Sequence, residues 1–557
     1  MTDVVTVQLL RNRVASLIEE MQYHLYRSGY STIIRESRDF SCAITDRAGR
    51  IAVAPELVVH CTIYRSLVEN ILAIHGDGGI ASGDVFISNH PYEGGIAHVS
   101  DVAVVTPIFS DGELIGFVGS IAHKPDVGGS VPGSVSGQST ELFQEGLLLP
   151  AVKLYQGGVR NEDMARLLRA NCRGPALLRG DWEGQVGVAR MGAERVARLC
   201  RDFGVATFAA SMESIIAASE REFRAALATL PEGSHEAEGF LDDDGVDRER
   251  RVRFHVRVTH AHGRLKFDLS DSDPQTRGPV NLRVPLVEAC CVHALVGVLD
   301  PTLRFTAGVR SVIEVVARQG SIANANAPAP VSSYMRACQK LIDVLLEALA
   351  PFKPDRAVAN AGGSGGATTF AWHGERHRTR GNQYEIFGSA YGASAAGDGC
   401  SGVTVHLSNI HVAPIEIIES EYPCRIERFE LIPDSGGPGK FRGGLGARRR
   451  YHMLAPVTFI YRGDRAKVAP RGLHGGGDGA PSRLILHPGT AREQQLPSSC
   501  RAELEAGTVV DICAAGGGGF GPQGERAAAQ IESDIANGYV TRERAMINPA
   551  IKPTRRP

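Results

Sequence analysis

The stretch that decides the reading is Asp101-Val-Ala-Val-Val-Thr-Pro-Ile-Phe-Ser-Asp-Gly-Glu-Leu-Ile-Gly-Phe-Val-Gly-Ser-Ile-Ala-His123. Apolar runs at Val102–Val105 and Leu114–Ile121 flank a polar turn that contains Gly112, the pattern of two strands joined as a hairpin. A hairpin brings its two ends together, so His98 and Asp101 at one end are expected to meet His123 and Asp126 at the other. Two imidazoles and carboxylates at one point suit zinc, manganese or iron. Gly94, Gly95, Gly128 and Gly129 in the flanking loops would let backbone pass close beside such a site.

Working outward, apolar residues at Val5, Leu9, Leu10, Val14, Leu17, Ile18, Met21 and Leu25 predict a helix over 5–27. Phe40–Ile44, a turn at Asp46–Gly49 and Ile51–Val53 predict a second hairpin, followed by a helix over 60–76. Residues 161–230 are helical in pattern, 250–270 alternate like strands, and 282–300 and 335–351 predict helices. From 380 to 520, β-type runs alternate with glycine clusters. The tail from Arg526 is charged and helical and ends in a frayed Lys552–Pro557. Helices and strands come in blocks without βαβ alternation, which predicts an α+β fold of several domains. The expected division is 1–160 (the His/Asp site), 161–235 (helical), 236–380 (α+β), 381–525 (β-rich) and 526–557 (helical tail).

The 557 residues carry 60 Lys+Arg against 62 Asp+Glu, a net charge of −2. That balance provides no field for nucleic acid or an anionic membrane, and neither is expected as a partner. The most apolar stretch, Val284–Leu299, is broken by Glu288 and His293 and is too short to span a bilayer. The start of the chain lacks a signal-peptide pattern, and the 11 cysteines are scattered with no C-x-x-C pair, as expected of buried thiols in a cytoplasmic protein.

Nucleotide motifs are missing: Gly436-Gly-Pro-Gly-Lys440 lacks P-loop spacing, and no G-x-G-x-x-G opens a helix after a strand. No convincing G-x-S-x-G nucleophile elbow is present either. Asp268–Asp273 has the composition of a calcium loop without its Gly and final Glu, and predicts an Asx-rich turn. The glycine runs 362–366 and 516–519 predict turns, with an anion cradle as the alternative. Arg448–Arg450 predicts a solvated strand edge.

At these residues the sequence resembles the hydantoinase B family, which includes the B-type parts of 5-oxoprolinase, N-methylhydantoinase, caprolactamase and the acetone and acetophenone carboxylases. The resemblance rests on Arg38–Cys42, Asn89–Asp101, Ala122–Gly129, Pro132–Ser134 with Ser139–Glu141, Gly180-Asp181 and Arg277–Asn281. It continues through Gly388–Gly392, His406–Asn409, Pro433–Gly437, Arg442–Gly446 and Gly516–Gly519, in order along nearly the whole chain. By this resemblance His98, Asp101 and His123 are metal ligands, Asp39 is a further carboxylate ligand, and Asp126 either binds the metal or orients a ligand.

The resemblance also implies a hetero-oligomer in which ATP is held by a separate hydantoinase A-type partner, an actin-like ATPase. The activity it implies is ATP-dependent hydrolysis of a small-molecule lactam or imide, with Asp126 or Glu93 as the base. The alternatives are the B-type component of a ketone carboxylase and an assembly component whose site has decayed. The chain departs from the family pattern at His90, Glu93, Lys124-Pro125 and in one extra residue before His98. At Lys124 a positive charge could hold a carboxylate or phosphate, or simply face solvent.

Overall fold

The structure, a computed structural model, describes residues 3–54, 58–372, 381–408 and 410–546. Asn409 of the His406 motif and the expected frayed end lie outside the described residues. The chain divides into two compact units: Met1–Ser234 with Val256–Tyr334, and His235–His255 with Met335–Pro557. Helices and several sheets coexist in blocks, as an α+β fold requires.

The first unit is built on a six-stranded sheet. Its strands are β1 (Phe40–Asp46), β2 (Val85–Ser88), β3 (Asp101–Ser110), β4 (Glu113–His123), β5 (Val152–Gln156) and β6 (Val159–Arg160), in the spatial order β1-β4-β3-β2-β5-β6. β3 and β4 form the expected hairpin, closed by Asp111 and Gly112, both at positive φ (51° and 84°). Positive φ at both central residues is what a tight two-residue hairpin loop demands, and Asp-Gly supplies it. Residues 51–53 do not form the second strand expected there; only an isolated bridge joins Thr45 to Ile51.

Both faces of the sheet are covered, which explains why β3 and β4 read as apolar runs rather than alternating ones. On one face lies the helix Pro175–Phe203, whose Gln185 Nε2 donates to the carbonyls of Val102 (2.9 Å) and Ser120 (3.1 Å). On the other lies the helix Cys61–His75, whose Tyr64 ring packs so tightly on Gly119 that an added Cβ would sit 2.6 Å from Cε1. Val102, Val104, Phe117, Val118 and Ile121 are fully buried between these layers. Each stabilises the fold by about 1.5–3 kcal/mol relative to exposure. The hairpin is thereby a rigid platform with both its open ends held at one edge.

In the second unit, strands Asn382–Ile386, Ala367–Trp372, Val457–Arg462 and Ser499–Leu504 form one sheet. Cys424–Leu431, Ala447–Met453, Val509–Cys513, Arg483–Leu486 and Gln494–Leu496 form another. Phe370, Phe459, Tyr451 and Ile512 are central to its apolar core. Arg448–Arg450 is no solvated edge, because Arg449 is fully buried and lies 3.2 Å from Glu385. The amides of Gly516–Gly519 donate to the carbonyls of Ala480, Gly444, Asn360 and Gly477, so that run packs backbone on backbone and offers no anion cradle. Asp268 closes its turn by accepting from the Ser270 amide (3.0 Å), as expected. All 11 cysteines are free thiols, nine of them buried. Among the described residues no helix is long and apolar enough to cross a membrane.

Candidate metal centre

The hairpin register places Asp101 directly opposite His123, the first residue of β3 against the last of β4. His98 joins them through a tight turn in which the Asp101 amide donates to the His98 carbonyl (3.0 Å). The loop before it is pinned by Asn89, whose side chain donates to the carbonyls of Val99 and Leu147 and accepts from the Leu149 amide. On the other side Gly128 and Gly129 adopt positive φ, and a Cβ on either would collide with the backbone of Asn171 or Gln144.

The three side chains are buried and their donor atoms converge. His98 Nε2 lies 3.2 Å and His123 Nδ1 3.4 Å from the same atom, Asp101 Oδ1. One ligand atom from each residue fits within 4.8 Å of the others, and the two imidazole rings are 5.0 Å apart. Two ligands bonded at about 2.1 Å to one cation sit roughly 3.0 Å apart at a right angle and about 3.4 Å apart at a tetrahedral angle. Both separations from Asp101 Oδ1 fall in that interval, so the residues present fit a divalent metal. Asp101 Oδ2 and His98 Nδ1 are buried without a hydrogen-bond partner among the described residues.

The electrostatics point the same way. Burial works to raise the Asp101 carboxyl, but His98 and the contacts from His123 and His60 outweigh it and hold it well below the usual carboxylate range. Burial pushes His123 down, which favours the neutral imidazole that binds metals. Among the described residues no arginine or lysine forms an ion pair with Asp101, whose ion-pair contacts are with histidines; the buried Lys124 ammonium and the Asp39 carboxylate act on it from further off.

The other expected site residues fall in different places. Asp39, just before β1, brings Oδ2 to 4.0 Å from His123 Nδ1, and burial raises its carboxyl. It borders the three-residue group without belonging to it. Asp126 is buried and occupied: Oδ1 accepts from the Gly128 and Arg173 amides, and Oδ2 from the Gly133 amide and the Arg173 guanidinium. Glu93 is exposed and 3.7 Å from His90 Nε2. Lys124 is fully buried rather than solvent-facing; it donates to Gln185 Oε1 at 2.5 Å, and burial lowers it to about 8.

Two residues of the site were not singled out in the sequence. His60, buried at the entrance to the helix Cys61–His75, brings Nε2 to 3.8 Å from Asp101 Oδ2. Tyr334 lays its ring 5.0 Å from that of His98. Neither lies near the hairpin in sequence. The one available signal was His60 itself, a polar residue at the head of an apolar helix.

The comparisons with known proteins agree with this architecture. The family described as hydantoinase B/oxoprolinase matches residues 3–523, and the chain belongs to that family. It is 33% identical to a Pseudomonas sp. (strain NS671) protein named as the B component of a putative D-/L-hydantoinase, over 98% of this chain and 94% of that one. It is similar to the crystal structure of the ATP-dependent caprolactamase from Pseudomonas jessenii, with a TM-score of 0.90, 25% identity and coverage of 98% of this chain and 96% of that one. It also shares the fold of a nucleotide-free acetone carboxylase structure, with a TM-score of 0.86 at 17% identity, covering 98% of this chain and 79% of that one.

Proposed function

We propose that the chain is the metal-binding B-type component of an ATP-dependent cyclic amidohydrolase. The observation that carries this reading is the convergence of His98, Asp101 and His123 on one buried point. The hydantoinase and caprolactamase names of its relatives support the substrate class, a lactam or imide ring. The absence of nucleotide motifs from the sequence supports an ATPase partner of the hydantoinase A type.

In this reading the partner transfers the γ-phosphoryl group of ATP to the amide oxygen of the substrate, releasing ADP. Water then adds to the activated carbon, the ring C–N bond breaks with a proton delivered to nitrogen, and a second water converts the remaining acyl phosphate to carboxylate and phosphate. A divalent zinc, manganese or iron ion supplies Lewis acidity, lowering the pKa of water toward neutrality. The lone pairs of His98 and His123 and the charge of Asp101 hold that ion, with Asp39 as an adjoining carboxylate. Glu93, exposed beside His90, takes the proton from the attacking water. Asp126 acts on the geometry, since its oxygens already hold the loop that follows His123.

The test is an assay of the chain co-expressed with a hydantoinase A-type ATPase. ATP-dependent ring opening of hydantoins or lactams without bicarbonate is the expected result. An ATP turnover that requires bicarbonate would replace the hydrolase with a ketone carboxylase. A well-folded protein that binds no divalent metal would leave only an assembly role.

A further inference from the structure

The two oxygens of Asp101 face different neighbours. The contacts of His98 and His123 are with Oδ1, whereas that of His60 Nε2, at 3.8 Å, is with Oδ2. We infer that His60, tethered by Ser41 and Tyr64, is the positioning residue that keeps Oδ2 turned aside, so that Asp101 offers a metal only Oδ1. This rests on the metal-centre reading of the preceding section.

The tether is continuous and buried. His60 Nδ1 lies 2.8 Å from Ser41 Oγ, which lies 2.8 Å from the Tyr64 hydroxyl. That hydroxyl is itself fixed by the Ile121 amide (3.2 Å), on β4 two residues before His123. Burial raises the Tyr64 phenol well above its ordinary value, so it remains a proton donor. The one proton of the Tyr64 hydroxyl has two acceptors in reach, the Ser41 carbonyl (3.0 Å) and Ser41 Oγ (2.8 Å). With that proton on Ser41 Oγ, the Ser41 hydroxyl donates onward to His60 Nδ1, and His60 carries its own proton on Nε2. That is the tautomer the Asp101 carboxylate selects, because a proton on Nε2 faces the negative oxygen.

At 3.8 Å the Nε2–Oδ2 contact is longer than a hydrogen bond, and Oδ2 has no other hydrogen-bond partner among the described residues. A cation drawing on Oδ1 leaves Oδ2 as the only oxygen for His60 to engage. The arrangement is built by three elements at once. Ser41 comes from β1, His60 and Tyr64 from the start of the helix Cys61–His75, and the amide that anchors Tyr64 from β4. Gly119 leaves the space in which the Tyr64 ring lies.

Without His60, Asp101 is free to rotate and chelate through both oxygens. Partners of this kind typically change metal affinity by about 10- to 100-fold. The experiment uses the full chain, stripped of metal and titrated with Mn²⁺ by calorimetry and with Co²⁺ by visible absorption, whose ligand-field intensity falls as coordination number rises. The variants are His60→Ala, His60→Gln, Ser41→Ala and Asp101→Asn, each checked for folding by circular dichroism.

Glutamine places an N–H near the position of Nε2, so His60→Gln should keep affinity and spectrum close to wild type. Ser41→Ala should be intermediate, and His60→Ala should lose about 10- to 100-fold in affinity with a weakened Co²⁺ band. Equal loss in His60→Gln and His60→Ala would overturn the hydrogen-bonding role, as would wild-type titrations in His60→Ala. Should His60→Ala not fold, an unchanged Ser41→Ala titration would overturn the proposal on its own. Undiminished binding in Asp101→Asn marks a different failure, that of the metal centre itself.

Discussion

Each unit of this protein buries an aspartate against a histidine, and the two pairs have opposite surroundings. In the second unit Asp343 accepts from the Ala361 amide (3.0 Å), from His406 Nε2 (3.0 Å) and from the Arg465 guanidinium (2.6 Å). Its charge is matched by a fixed cation and its oxygens are engaged. In the first unit Asp101 has three imidazoles around it and, among the described residues, no arginine in an ion pair and one oxygen without a hydrogen bond. A buried carboxylate needs a compensating positive charge. Asp343 finds it in an arginine in direct contact. Asp101 has only the more distant ammonium of Lys124 and a surround of groups that bind metals when neutral, which is the ground for the divalent ion proposed there.

The comparison is broken most directly by Asp101→Asn, which keeps the shape of the side chain and removes its charge. Bound metal, measured by elemental analysis of the purified protein, should fall from about one ion per chain to near zero, with ATP-dependent ring opening lost alongside. Arg465→Met is the converse test in the second unit. It strands Asp343 without its cation and should lower stability by about 3–5 kcal/mol in denaturant titration while leaving metal content unchanged. If Arg465→Met emptied the metal site, the two clusters would not be independent.

A smaller effect sharpens the contrast through pH. Asp464, beside Asp343's partner Arg465, is pushed up to about 7 by burial and by Asp242. A carboxyl raised above its unfolded value of 3.8 holds an extra proton in the folded state between those values. Its contribution to stability is therefore greatest in acid and is lost as the pH rises toward 7. Metal-free protein should show a denaturation midpoint that falls over this range, and Asp464→Asn should flatten that fall.

Much of the first unit was legible along the chain. The expected helices over 5–27 and 60–76 correspond to Val4–Ser28 and Cys61–His75, and the apolar runs around Gly112 to β3 and β4. The meeting of Asp101 with His123 followed from the hairpin alone, because antiparallel pairing around a short turn fixes which residues face each other. The strand expected at 51–53 was illegible in a different way: its apolar residues Ile51 and Ala52 are buried, but the segment pairs only through one bridge. The role of Arg449 was misjudged because three consecutive arginines look exposed, whereas strand alternation sends the middle one inward to Glu385.

By itself the sequence determined what is local: the hairpin, its register, and hence the pairing of two metal-ligand types across its open end. It also carried the family motifs, which are strings of residues and need no coordinates to be recognised. Tertiary structure alone decided which carboxylates are occupied. Asp126 is taken by Arg173 and Glu93 is left in solvent, and only folding brings His60 and Tyr334 beside the cluster. The reason is physical: a donor's identity is written in its residue, but whether its lone pair is free depends on neighbours far away in the chain.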